Sequence, residues 1–250
     1  MSGHSKWASI KHKKAIVDSR RGAQFTKLAR AITVAARDGG GDPAGNAALE
    51  HAIAKAKAAS MPKENIERAI AKGTGEGADA GAIESVLYEG YGPAGVAILV
   101  QALTDNRNRT GADVRHIFTK FGGSLGEPGS VGYLFEKKGV ITIDASACEE
   151  DDLIVAVEAG AEDVNADDGL FEVITGLPEF AAVRRALEQA GVEMQSAELV
   201  YRAKSLVPVP HEGQVGKLMR LIDALEDNDD VDAVYANFDV PAEMLEKVAG

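Results

Sequence analysis

IESVLYEGYGPAGVAILVQALT, residues 83–104, decides how the rest of the chain is read. Two runs, 83–91 and 96–104, are rich in β-branched, aromatic and aliphatic residues. A turn containing Gly92-Pro93-Ala94-Gly95 separates them, which is a strand–turn–strand signature. A helix is expected next at about 110–121, with Val114, Ile117, Phe118 and Phe121 inward. The glycine-rich GGSLGEPGSVG at 122–132 then interrupts the pattern. A β-β-α piece of this size does not make a comfortable domain by itself.

Its complement lies at the far end of the chain. LVPV at 206–209, a helix at 213–226 and VYANFD at 234–239 form a β-α-β remainder of the same kind. Between the two pieces the pattern reads strand (133–137), strand (139–145), helix (148–159), strand (171–176), helix (178–190) and strand (198–203). That β-β-α-β-α-β series closes as one small α+β sandwich with its helices on one face. The expected division is therefore a split α+β domain, 79–132 plus 204–250, with an α+β domain, 133–203, inserted in it. The alternative is two sequential domains with a ragged end.

Upstream the period is helical. Phe25, Leu28, Ala29, Ile32, Ala35 and Ala36 share one face of a helix from about Arg20, and GGGDP at 39–43 ends it. A second helix is expected at 46–59. A third runs through MPKENIERAIAKG, with Pro62 in its first turn, Glu64 at its positive end and Gly73 as its stop. TGEGADAGA, 74–82, is a linker. Residues 1–78 are thus expected to hold a basic arm and a three-helix domain, which completes an α+β protein of three parts. A length of 250 residues suits two or three domains.

The charge is unevenly placed. The chain carries −12 overall, yet residues 1–37 hold nine lysines and arginines against one carboxylate, Asp18. Residues 1–72 sum to +8 and the remainder to −20. Such asymmetry suits a polyanion partner for the head, with the acidic body held away from it. The candidate contact residues are His4, Lys6, Trp7, Lys11, Lys13, Lys14, Arg20, Arg21, Lys27 and Arg30. Lysine and arginine neutralise phosphates. Trp7, the only tryptophan, offers a face on which a base can stack, worth roughly 1–3 kcal/mol. Two other readings stand beside this one: the head docks on the acidic body, or its charges are merely solvated. LTDNRNRT at 103–110 gives a second, weaker candidate, in which Arg107 and Arg109 precede a helix whose dipole favours anions there. In the competing reading Asp105 and Asp113 pair with both arginines locally.

Other chemistry finds little footing. The 122–132 stretch lacks the GK[ST] ending of a phosphate loop and opens no helix directly, so a linker or hinge is expected. Cys148 sits beside Glu149, Glu150, Asp151 and Asp152, which disfavour a thiolate. The five histidines show no metal-ligand spacing, and DNDDVD at 227–232 lacks the full calcium-loop pattern. No catalytic residue, metal site or cofactor is therefore expected. A single cysteine fits a reducing compartment. The first thirty residues lack the apolar core of a secretory signal, and GVAILV at 95–100 is far short of a membrane span. The expectation is a cytoplasmic protein without membrane attachment. No long interface signature appears, so a monomer is expected.

Three blocks carry a resemblance. GHSKWASIKHKKAIVDSRRGAQFTKLARAITVAARDGGGDP, NAALEHAIAKAKAASMPKENIERAIAKG and YEGYGPAGVAILVQALTDNRNRT closely resemble the YebC/PmpR family. The resemblance implies a helical N-terminal domain followed by two α+β domains. It also implies a regulator of transcription that binds DNA. A mitochondrial relative described as a translational activator of cytochrome c oxidase makes a ribosome- or RNA-associated translation factor the alternative. The resemblance implies no enzyme activity. A third, unrelated possibility is a small-molecule enzyme using the Arg107/Arg109 anion site.

Overall fold

The computed structural model describes residues 21–75, 83–167 and 169–249. Helix α1 (Arg21–Gly39) comes first, followed by α2 (Ala47–Ala58) and α3 (Lys63–Gly73). Leu28, Ile32 and Ala36, one turn apart on α1, are buried against Leu49, Ala52 and Ala56 of α2 and Ile66 and Ala69 of α3. Alanines let these helices approach closely, and Gly73 marks the tightest point: a Cβ there would lie 2.4 Å from the Thr33 carbonyl oxygen. Thr33 Oγ1 spans the same contact by donating to the Ala69 carbonyl at 3.1 Å. Asn46 fixes the corner before α2. Its Oδ1 accepts from Leu49 N–H as a helix cap, and its amide donates to the carbonyls of Ala35 and Gly40.

Strands β1 (Glu84–Tyr91) and β2 (Ala97–Thr104) form the antiparallel hairpin, with Tyr91 opposite Ala97. Helix α4 (Arg107–Lys120) and the short β3 (Ser124–Leu125) follow. Next come β4 (Phe135–Asp144), α5 (Ile154–Glu158), β5 (Ala161–Asp167), β6 (Leu170–Thr175), α6 (Phe180–Gln189) and β7 (Met194–Ala203). The chain ends in β8 (Val207–Pro208), α7 (Glu212–Glu226), β9 (Val231–Ala236), β10 (Phe238–Asp239) and α8 (Ala242–Ala249).

The strand order settles the architecture. One sheet runs β3-β1-β2-β9, so a strand from the far end of the sequence pairs with the hairpin, Ile98 opposite Ala236. Ile98 and Val100 of β2 pack with Phe118 of α4 and with Leu218, Met219 and Ile222 of α7 in one core. Burial of each such side chain favours the fold by about 1.5–3 kcal/mol. The other four-stranded sheet, β5-β6-β4-β7, is antiparallel throughout, with α5 and α6 packed on one face around Ile141, Ile143, Val173 and Leu187. This is the β-α-β-β-α-β arrangement of ferredoxin-like sheets. Its outer ends are neighbours, Phe135 opposite Ala203, so the chain leaves and rejoins the first sheet at adjacent points. The fold class is thus α+β, with the second unit discontinuous around the third.

Several element expectations are corrected. The two strands expected at 133–137 and 139–145 are one strand, β4; Gly139 continues it because a Cβ there would meet the Phe180 ring and Thr175 Oγ1 at 2.3 Å. Strand β5 was not expected: AEDVNAD is polar, and it lies at a sheet edge where one side needs no burial. The helix expected at 148–159 is a 3-10 turn, Glu150–Leu153, followed by the short α5. Helix α4 starts at Arg107, capped by Asn106, rather than after Arg109. The strand expected at 234–239 is two, β9 and β10, and α8 was not foreseen.

The glycine-rich 122–132 stretch is pinned rather than open. Glu89 Oε1 accepts from Gly129 N–H at 2.7 Å, and Oε2 accepts from Val131 and Gly132 N–H at 2.7 and 2.6 Å. Burial alone would raise the Glu89 pKa, but the three backbone donors outweigh it and hold the carboxyl below its ordinary value. Glu89→Gln, with one acceptor oxygen, should lose at least one of these bonds and about 1 kcal/mol of stability. Urea denaturation checks this, and an unchanged midpoint would show the loop to be held by other means.

Candidate nucleic-acid interface

Of the residues expected to touch nucleic acid, His4, Lys6, Trp7, Lys11, Lys13, Lys14 and Arg20 lie outside the described residues, as does most of the 74–82 linker. Arg21 opens α1. Lys27, Arg30 and Arg109 are brought together, and the place where they meet is acidic.

Asp230 stands at the centre. It lies in the turn between α7 and β9, and its side chain is 6% exposed. Arg30 Nη1 donates to Asp230 Oδ1 at 2.6 Å and to the Asp229 carbonyl at 2.7 Å. On the other carboxylate oxygen, Arg109 Nη2 donates at 2.8 Å and Thr110 Oγ1 at 2.6 Å. Burial pushes the Asp230 pKa up, but the hydrogen bonds from Thr110, Arg109 and Arg30 together hold the carboxyl below the usual range. Lys27, one turn before Arg30, places Nζ 2.5 Å from the carbonyl of Glu226, the last residue of α7. That end of a helix carries partial negative charge and unpaired carbonyls, so the ammonium serves as its cap from another part of the chain. Burial pulls the Lys27 pKa down, against the opposing pull of Asp229, Asp227, Asp232 and Glu226.

The 103–110 stretch is likewise explained by its neighbours. Asn106 Oδ1 accepts from Arg109 N–H at 3.1 Å and starts α4. Arg107 and Arg109 are in the first turn, where the dipole disfavours cations. Asp105 and Asp230 compensate for Arg109, which binds both at 2.9 and 2.8 Å. Asp113 is not its partner. Arg107 has no ion pair among the described residues, and its carbonyl accepts from the Tyr88 hydroxyl at 3.1 Å. Asp230 was the residue missed in the sequence. DNDDVD lacks the calcium-loop pattern, and its side chains and carbonyls instead receive cations from α1 and α4.

Further polar contacts tie the helical head to the inserted unit: Lys55 to Glu198 at 2.8 Å and Arg184 to Glu50 at 3.1 Å. Arg37 also donates to the Ile83 carbonyl at the start of the second unit. Among the described residues no group of three or more histidines, cysteines and carboxylates could hold a metal ion. No helix among them is long and apolar enough to cross a membrane.

Two family models match this chain in succession. The TACO1/YebC protein N-terminal domain covers residues 5–76, and the TACO1/YebC second and third domain covers 83–238. The chain belongs to the TACO1/YebC family. A relative from Rubrobacter xylanophilus is 55% identical over 251 residues, covering 100% of both chains, and one from Persephonella marina is 54% identical over the same span. A Mycobacterium tuberculosis relative is 53% identical over 246 residues, 98% of each chain. All three bear the name "Probable transcriptional regulatory protein". Among solved structures, a conserved hypothetical protein from Aquifex aeolicus matches with a TM-score of 0.82 at 47% identity, over 90% of this chain and 93% of that one. The α+β architecture is thus shared with a crystal structure from the same family.

Proposed function

We propose that the protein regulates gene expression by binding DNA through its basic N-terminal region. The observation that carries this reading is the charge division: +8 in residues 1–72 against −20 in the rest. The regulator's name borne by relatives above 50% identity supports the same class. His4, Lys6, Trp7, Lys11, Lys13, Lys14, Arg20 and Arg21 supply the phosphate and base contacts. Lys27 and Arg30 act differently, holding α1 against the 226–230 turn. The domains that carry this arrangement are 1–78, 79–132 with 204–250, and 133–203. The protein acts as a monomer in the cytoplasm.

A second reading, a ribosome- or RNA-associated factor, is favoured by one observation: Arg68 and Lys72 have no ion-pair partner among the described residues and edge a cleft sized for a small ligand. The enzyme reading loses half of its anion site, since Arg109 is occupied by Asp105 and Asp230 and Arg107 alone is left.

Deleting residues 1–20 tests the proposal. Fluorescence anisotropy with labelled duplex DNA and with a ribosomal RNA fragment should show binding fall about a hundredfold. Full retention of both affinities would overturn it. Retention of the RNA affinity alone would favour the second reading.

A further inference from the structure

A cleft of about 490 Å³ runs along the packed α1–α3 pair, with Ile83 and Asp105 of the second unit also lining it. Its volume is in the range of small-ligand sites. Phe25 on α1, together with Met61 and Ile83, gives it an apolar floor. Asn65, Arg68 and Lys72 edge it from α3, where their spacing of three and four residues puts them on one face. Arg68 and Lys72 are exposed.

That pair is unusual in its helix. Two cations four residues apart repel each other by about 0.2–0.5 kcal/mol unless an anion joins them. The other face of α3 solves the same problem in the ordinary way, pairing Lys63 with Glu67 at 3.5 Å. At the cleft no carboxylate of α3 does so. Asp105 is on the opposite wall and is bound to Arg109. Arg30, also on the wall, is bound to Asp230. The two cations that remain can bridge one phosphate, and Phe25 and Met61 lie on the floor where an attached planar ring can stack.

We infer that this cleft binds one nucleotide unit, its phosphate held by Arg68 and Lys72, its base against Phe25 and Met61, and its edge read by the Asn65 amide. The site rests on the reading of the protein as a nucleic-acid binder, but it is separate from the arm that makes the first contact. Uridine monophosphate and a single-stranded uridine oligonucleotide share this chemistry, and testing both distinguishes a free nucleotide from one carried in a strand.

The full-length protein, the Arg68→Glu/Lys72→Glu variant and a Lys63→Glu control are titrated with both probes, by saturation-transfer NMR for the nucleotide and by anisotropy for the oligonucleotide. The double variant should lose about tenfold in affinity for the probe or probes that the wild type binds. Lys63→Glu should bind as the wild type does. Thermal unfolding of the double variant should stay close to that of the wild type, because neither cation has an ion-pair partner among the described residues. Phe25→Leu should weaken binding without changing its salt dependence, since stacking carries no counterion release. Equal affinity in the wild type and the double variant, or an equal loss in Lys63→Glu, would overturn the cleft. If oligonucleotide binding then still vanished on deleting residues 1–20, the arm would stand and the cleft alone would fall. Absence of binding by the wild type to both probes would overturn the cleft, and the duplex-DNA reading would then stand or fall on the deletion of residues 1–20 alone.

Discussion

Replacing Asp230 with alanine is expected to loosen the helical head from the second unit and to cost about 2–3 kcal/mol of stability. The carboxylate is buried, and three donors converge on it: Arg30 from α1, with Arg109 and Thr110 from α4. Removing it leaves Arg30 beside a single carbonyl, that of Asp229, and leaves Thr110 with Thr104 and Asn106. The loss should be localised. Amide hydrogen exchange should accelerate in α1 and in the first turn of α4, and much less in the β5-β6-β4-β7 sheet, which Asp230 does not touch. The pH dependence follows from the lowered Asp230 pKa. A carboxyl held below its unfolded value stabilises the fold above that value and stops doing so as pH falls through the folded one. The stability gap between the wild type and Asp230→Asn should therefore narrow below roughly pH 4. A gap of constant size down to pH 2, or exchange that speeds up as much in the β5-β6-β4-β7 sheet as in α1 and the first turn of α4, would show that Asp230 is not the latch between these units.

The arm should give the largest change in affinity. If it neutralises about five phosphates of duplex DNA, log K should fall against log salt with a slope near −4.5, which is about 500-fold between 50 and 200 mM. Lys11→Glu/Lys13→Glu/Lys14→Glu removes three of those contacts and adds three repulsions. Affinity should drop uniformly across DNA sequences, and the slope should flatten by about 2.7. Trp7→Ala should lower affinity by stacking alone, leaving the slope as it was. The Asp230 latch makes a contrast available. Because Lys27 and Arg30 already have intramolecular partners, Lys27→Gln should change the slope far less than any one of the three arm lysines. A slope unmoved by the triple reversal would remove the arm from the binding step.

Much of the architecture was legible because burial leaves a period in the sequence. The α1 face of Leu28, Ile32 and Ala36, the hairpin at 83–104 and the apolar stripe of α7 each recur at helix or strand spacing. Signals failed where burial is one-sided or short. AEDVNAD forms β5 without an apolar face because it is an edge, and α8 is only eight residues long. The division of β4 was an error of local reading at Gly139, whose lack of a side chain serves the Phe180 ring rather than a turn. At the site, sequence proximity offered Asp105 and Asp113 as arginine partners, in competition with an outside anion. Asp105 holds one contact, but the stronger junction is to Asp230, about 120 residues away along the chain.

The amino-acid sequence by itself determined the charge division, the helical head, the α+β pattern and the kinship with TACO1/YebC proteins, since composition and apolar period survive in one dimension. Which cations face outward was decided only in three dimensions. Lys27 and Arg30 read as free from their local neighbours, and Arg109 as either free or paired with Asp105 or Asp113. The antiparallel pairing of β9 with β2 brings the 226–230 turn beside α1 and α4, and there a buried carboxylate and the last carbonyl of α7 take all three. Arg68 and Lys72, unremarkable in the sequence, line a cleft and have no ion-pair partner among the described residues.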